Sequence, residues 1–221
     1  MEYIQIIKKI EFFIDKNKDI LELLYPREFD CRYALILSNI KKGNNQEQLK
    51  NDINNFFIFR GIKSNKIIEL LRLFDNNKKN ITSVDNNIDK IFELYCFLIE
   101  KTKKITGKNQ YVFTTKLMNL YNQHIPLYDN NVINFLQYLD IDIERYSKKA
   151  FFHILNIYKI INEKTNIPNI MKLKNSIYCN MEIEFINLNK FVDTLFYFIN
   201  DTVELEKYRL ICNFKKVQVS T

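Results

Sequence analysis

The chain has 221 residues with only three Gly and three Pro, which excludes collagen-like, low-complexity and loop-rich sandwich architectures and leaves helices as the natural expectation. At 47% hydrophobic and 14% aromatic it can bury a sizeable core, so global disorder is excluded too. Lys+Arg 33 against Asp+Glu 26 leaves +7, the balance of a protein that meets phosphate or an anionic surface. Because Lys, Asn, Ile, Phe and Tyr, all residues of A/T-rich codons, are over-used together, that signal receives about half its usual weight.

Apolar spacing is helical along almost the whole chain. Tyr3, Ile7, Ile10, Phe13, Ile14, Ile20, Leu21 and Leu24 predict a first helix ending before Pro26. A second carries Cys31, Tyr33, Leu35 and Ile36 and closes at Lys41-Lys42-Gly43, a basic last turn with a C-terminal glycine. A third runs from Glu47 to Arg60, and Ser64 caps a fourth through Ile67, Ile68, Leu71 and Phe74.

The stretch Asp75-Asn76-Asn77-Lys78-Lys79-Asn80 reads as a polar, turn-forming linker. It divides an N-terminal helical subdomain, residues 1–80, from a second helical domain, residues 81–221. Beyond it Asp85 is placed to cap a long helix ending near Gly107, followed by a shorter one from Tyr111 to Tyr121. Pro126 forces extended backbone in the segment after that, and Asp129 stands where a helix N-cap belongs. Further helices are expected over 129–139, 147–162 and 180–200. Residues 205–221 read equally as a terminal helix or as a short strand around Lys216-Val217-Gln218-Val219. There is no internal repeat. The expected fold class is all-α.

The four cysteines, Cys31, Cys96, Cys179 and Cys212, are scattered with no CxxC pair, which points to reduced thiols rather than a zinc site or disulfide framework. No leader-like segment opens the sequence and no uncharged run reaches membrane-span length. The expectation is a cytoplasmic protein with no membrane association.

Chemistry narrows quickly. The sequence has no G-x-S-x-G elbow, Walker loop, HExxH or dinucleotide fingerprint. Asp140, Asp142 and Glu144 do not follow a metal-ligand spacing, so neither metal nor cofactor is expected. His124 and His153 lie on different segments, and His153 follows Phe151-Phe152 as a core histidine would.

The informative residues are Thr115-Lys116-Leu117-Met118-Asn119-Leu120, then Pro126-Leu127-Tyr128-Asp129 with Val132, and later Lys190-Phe191-Val192-Asp193-Thr194-Leu195-Phe196. Together they resemble the 8-oxoguanine DNA glycosylase-like proteins, distant members of the helix-hairpin-helix DNA glycosylase superfamily. That group has Ser-Lys-x-Leu-His-Phe, a short loop, Pro-Ile-Tyr-Asp and a Val three residues on, then a late helix with a basic residue, an Asp and a Leu-Trp pair. Two departures stand out. The hairpin stretch Thr106-Gly107-Lys108-Asn109-Gln110 has one glycine where the superfamily has two, and Asn119-Leu120 stands where the group has His-Phe.

The resemblance implies recognition or excision of a modified base in DNA, with the base taken out of the stack and a cationic transition state at the sugar's anomeric carbon. Asp129 is then the carboxylate that stabilises this charge, kept ionised by its helix N-terminus. Lys116, or Lys108, is the candidate amine nucleophile. Tyr128 and Phe196 are the aromatic candidates to stack on the base, with Asn130 and Asp193 as polar substrate contacts; core packing is the competing reading for the aromatics. Lys101, Lys103 and Lys104, with Gly107, form the candidate phosphate track. The alternative function is a non-catalytic helical module that binds nucleic acid or a protein partner and retains only the fold.

Overall fold

The computed structural model describes residues 3–25, 33, 36–38, 51, 62, 64–163, 167–178 and 187–200. Helices account for most of these residues, with no strand among them. The helices are α1 (Tyr3–Leu24), α2 (Ser64–Asn76), α3 (Lys78–Ser83), α4 (Ile88–Thr106), α5 (Tyr111–Tyr121), α6 (Asn130–Tyr138), α7 (Lys148–Asn162), α8 (Pro168–Tyr178) and α9 (Leu188–Asn200). Tyr33 and residues 36–38 are helical. Asn51 is helical too, while the rest of the expected second and third helices, the N-terminal part of the helix expected over 180–200, and residues 205–221 lie outside the described residues. So do Cys31, Cys179 and Cys212. Cys96 is a free thiol, and burial pushes it up.

Local chemistry explains several of the helix boundaries. Asp129 accepts from the Asn131 N–H at 2.8 Å and Ser147 from the Ala150 N–H at 3.0 Å, each filling an orphan donor of the first turn. Gly107 ends α4 in the left-handed region, φ 81°, and donates its N–H to the Lys103 carbonyl at 2.7 Å. The cap of α4 is Asn87, not Asp85: its side chain accepts from the Lys90 N–H at 3.0 Å.

The Asn-rich stretch is helical rather than a loop. α2 continues through Asp75 and Asn76, Asn77 makes the only break by donating its N–H to Phe74 O and its amide to Leu73 O, and α3 begins at Lys78. Burial of Ile81 holds this short helix down, which overrides the turn preference of asparagine. α8 was not expected from the periodicity. It starts with Pro at its first position, where no N–H is needed, and buries Ile170, Leu173 and Ile177.

One continuous core runs through the described helices. α1 packs on α7 and α8, α4 on α7, α5 and α2, and α9 on α6 and α7. α4 and α7 are antiparallel: Phe92 meets Phe152, Tyr95 meets Phe151, and Glu100 pairs with Lys148. The last turns of α4 therefore lie beside the start of α7. Among the described residues no helix is long and apolar enough to cross a membrane.

Candidate functional site

The loop 122–129 is held from two sides. From α5, Thr115 Oγ1 accepts the Tyr128 N–H at 3.0 Å, and the Asn119 amide donates to Ile125 O at 2.6 Å. From α9 and the residue before it, Asn187 donates to Gln123 O, Asn189 to His124 O, and Asp193 Oδ1 accepts the Leu127 N–H at 3.3 Å. The three stretches that carry the sequence resemblance, Thr115-Lys116, Pro126 to Asp129 and the Asp193 helix, are thus in direct contact.

This clamp fixes the loop's exit, and with it Asp129. Lys116, one turn into α5, places its Nζ 3.1 Å from Asp129 Oδ2. Both side chains are mostly covered, at 23% and 14% exposure. The carboxylate sits on the N-terminus of α6, whose partial positive charge favours the anion. An ammonium and a carboxylate therefore stand side by side at a helix head.

Lys108 is exposed just beyond α4 and its backbone bonds to the Thr106 hydroxyl. Among the described ion pairs it is Lys116 that reaches Asp129. Lys101, Lys103 and Lys104 are exposed on the last two turns of α4, where Lys101 also lies over the Phe97 ring at 5.2 Å. Lys148 pairs with Glu100 at 3.0 Å, and together with Lys103 and Lys104 it holds the Glu100 carboxyl below its usual range. The Ser147 N–H next to it donates to the Tyr128 hydroxyl at 3.1 Å. The basic end of α4, the head of α7 and the Lys116–Asp129 pair therefore share one end of the bundle.

Several expected contacts are placed otherwise. Tyr128 is 1% exposed and packs against Phe151 and Tyr111; Phe196 is fully buried between Phe135 and Tyr158. Neither ring has a face free for a base, because the loop clamp turns Tyr128 inward and α9 packs on α6 and α7. Gly107 gives its N–H to Lys103 O, so it terminates a helix rather than presenting a donor to phosphate. Asn130 is exposed and donates to the Tyr146 hydroxyl at 2.8 Å.

Asp193 is buried, and beyond the Leu127 N–H it accepts the Tyr158 hydroxyl at 2.5 Å, while its Oδ2 meets no hydrogen-bond donor. Burial pushes its carboxyl up to about 7, against the pull of Lys190 and these two hydrogen bonds. The same burial pushes the Tyr158 hydroxyl well up. Lys190 is itself buried, with its ammonium 4.4 Å from the Tyr33 ring centre, and the Tyr33 hydroxyl donates to Asn119 Oδ1. The sequence pointed to neither Tyr33 nor Tyr158 as a partner; an Asp set among Phe191, Val192, Leu195 and Phe196 was the available signal that polar partners had to exist.

His153 bonds the Tyr3 hydroxyl through Nδ1 at 2.7 Å, and burial lowers its pKa. His124 lines a cavity of about 210 Å³ with Asn86, Pro126, Tyr158 and Lys159, at the start of α4 and therefore opposite the lysine-rich end. Among the described residues no cluster of three or more His, Cys, Asp or Glu is arranged to hold a metal ion. No family model, curated protein or solved structure matches this chain, so the site is read from its own geometry.

Proposed function

We propose that the protein recognises a modified base in DNA and excises it, with Asp129 as charge stabiliser and Lys116 as the amine beside it. The observation that carries this reading is the 3.1 Å approach of Lys116 Nζ to Asp129 Oδ2 at the head of α6. The neighbouring lysines of α4 support it by supplying the field that draws in a phosphate backbone.

In the proposed reaction the bond from C1′ to the base nitrogen breaks. The base leaves with the electron pair and takes up a proton, and the sugar carbon becomes cationic. The Asp129 carboxylate stabilises that charge. Water then adds to C1′ and loses a proton to solvent or, in the amine branch, the Lys116 ammonium loses a proton to solvent and the free amine forms the C1′–N bond. Ring opening then gives an iminium that borohydride reduces to a stable amine.

The test is incubation with duplexes carrying a panel of oxidised and alkylated bases, with and without borohydride. Asp129→Asn retains an N-cap side chain and removes the charge, so base release should fall at least about a hundredfold with DNA affinity retained. Lys116→Ala should abolish the trapped adduct. Burial of Tyr128 and Phe196 favours a second reading, a binder without chemistry. Salt-dependent binding with no product from any lesion supports that second reading, and no binding at low salt removes DNA altogether.

A further inference from the structure

Tyr146 is the least expected residue at this end of the bundle. It is a non-glycine residue in the left-handed region, φ 54°, where an aromatic side chain is disfavoured and Gly or Asn is the usual occupant. Its ring is 55% exposed, so burial does not compensate for that backbone cost. The segment around it is braced rather than slack. Arg145 bonds Asn134 and Gln137, Gln137 donates to Ile143 O, and Ile141 and Ile143 are buried. Its hydroxyl accepts from the amide of Asn130 at 2.8 Å, the residue directly after Asp129. The next residue, Ser147, caps α7 and bonds Tyr128.

A strained, exposed aromatic held rigidly beside a cationic and carboxylate pair, with lysines of α4 on the flank, matches what an unstacked nucleobase needs: a π-face next to a backbone-attracting field. We infer that Tyr146 is the stacking platform for an unpaired nucleobase, the role that the buried rings of Tyr128 and Phe196 cannot fill. The inference rests on the DNA reading above and extends it by naming the residue that touches the base.

The experiment is fluorescence anisotropy over a salt series, using a labelled duplex with one tetrahydrofuran abasic analogue opposite an orphan adenine, beside the fully paired duplex. The proteins are wild type, Tyr146→Phe, Tyr146→Ala and Tyr146→Asn; the Asn variant suits the left-handed backbone and guards against a folding artefact. Loss of about tenfold in affinity for the abasic duplex in the Ala and Asn variants, an unchanged salt slope and near wild-type binding by the Phe variant is the expected result. Equal binding by all four overturns the role of Tyr146 and leaves the DNA reading standing. A changed salt slope in the Ala or Asn variant overturns it as well, because the residue then acts by arranging phosphate contacts. Failure of the wild type to bind either duplex removes both readings.

Discussion

The carboxylate of Asp193 on α9 takes the hydroxyl proton of Tyr158 on α7 in a hydrogen bond of 2.5 Å, while the other carboxylate oxygen is buried with no donor. A buried carboxylate held in this way favours its neutral form, because the interior does not solvate the charge that water would.

A pH dependence of stability follows. Asp193 titrates at about 7 in the fold against about 4 in an unfolded chain. Between those values the folded state binds more protons, so its stability falls as pH rises from about 4 to about 7 and is level above that, by on the order of 4 kcal/mol. Urea unfolding of wild type and Asp193→Asn at a series of pH values measures it. The difference between the two should change across that window, and parallel curves would show that Asp193 does not carry the effect.

The Lys116–Asp129 pair should contribute little to stability. Both groups are partly solvated, and such pairs contribute about 0–1 kcal/mol, whereas the cap itself is worth about 1 kcal/mol. Asp129→Asn is therefore expected to leave the urea midpoint nearly unchanged, and Asp129→Ala to lower stability by about 1 kcal/mol. Equal destabilisation by both would mean that the charge, not the cap, anchors α6.

Asn119 is fully buried and serves two partners, accepting from the Tyr33 hydroxyl and donating to Ile125 O. Asn119→Ala removes the side-chain acceptor of the Tyr33 hydroxyl and the amide donor to Ile125 O and should cost about 3 kcal/mol. It should also loosen the loop that presents Asp129, which amide exchange across 125–129 would report as lost protection.

Gly107 offers a clean measurement of backbone strain. A Cβ placed there meets nothing within 4 Å, so Gly107→Ala introduces no clash and any loss of about 1 kcal/mol comes from the left-handed φ alone. On the DNA reading proposed above, affinity for a duplex should not change, since its N–H already bonds Lys103 O.

Tyr146 should show the opposite sign. Replacing it with Asn relieves the disfavoured backbone at an exposed site, so the unfolding temperature should rise by roughly 2–4 °C for about 1 kcal/mol. A fall instead would show that the Asn130 contact outweighs the strain.

What could be read from the sequence was what local chemistry decides. Asp129 caps where its spacing to an apolar face says it should, and Gly107 ends α4, because each effect acts within one turn. Asn87 displaced Asp85 as the cap since both are good acceptors and only the backbone angle chooses between them. α3 formed inside an asparagine-rich stretch because Ile81 had a core to enter, and tertiary burial outweighs turn preference. The approach of Lys116 to Asp129 followed from no periodicity; it depends on a proline loop pinned by residues 64 to 66 positions away. The inward turn of Tyr128 and Phe196 was invisible for the same reason, since an aromatic at helical spacing does not say which neighbour will cover it. Nothing in the residue type forecasts a left-handed Tyr146.

Glu11 on α1 accepts the N–H groups of Asn169 at 2.7 Å and Ile170 at 3.0 Å, capping α8 from 158 residues away. That contact sets an order of events at the ribosome. α1 emerges first, yet the helix whose donors it satisfies emerges last but one among those described. At ordinary elongation rates Glu11 waits on the order of ten seconds for those donors. During that interval the side of α1 that faces α8 is uncovered, and a chaperone has more reason to meet it there than at any later stage.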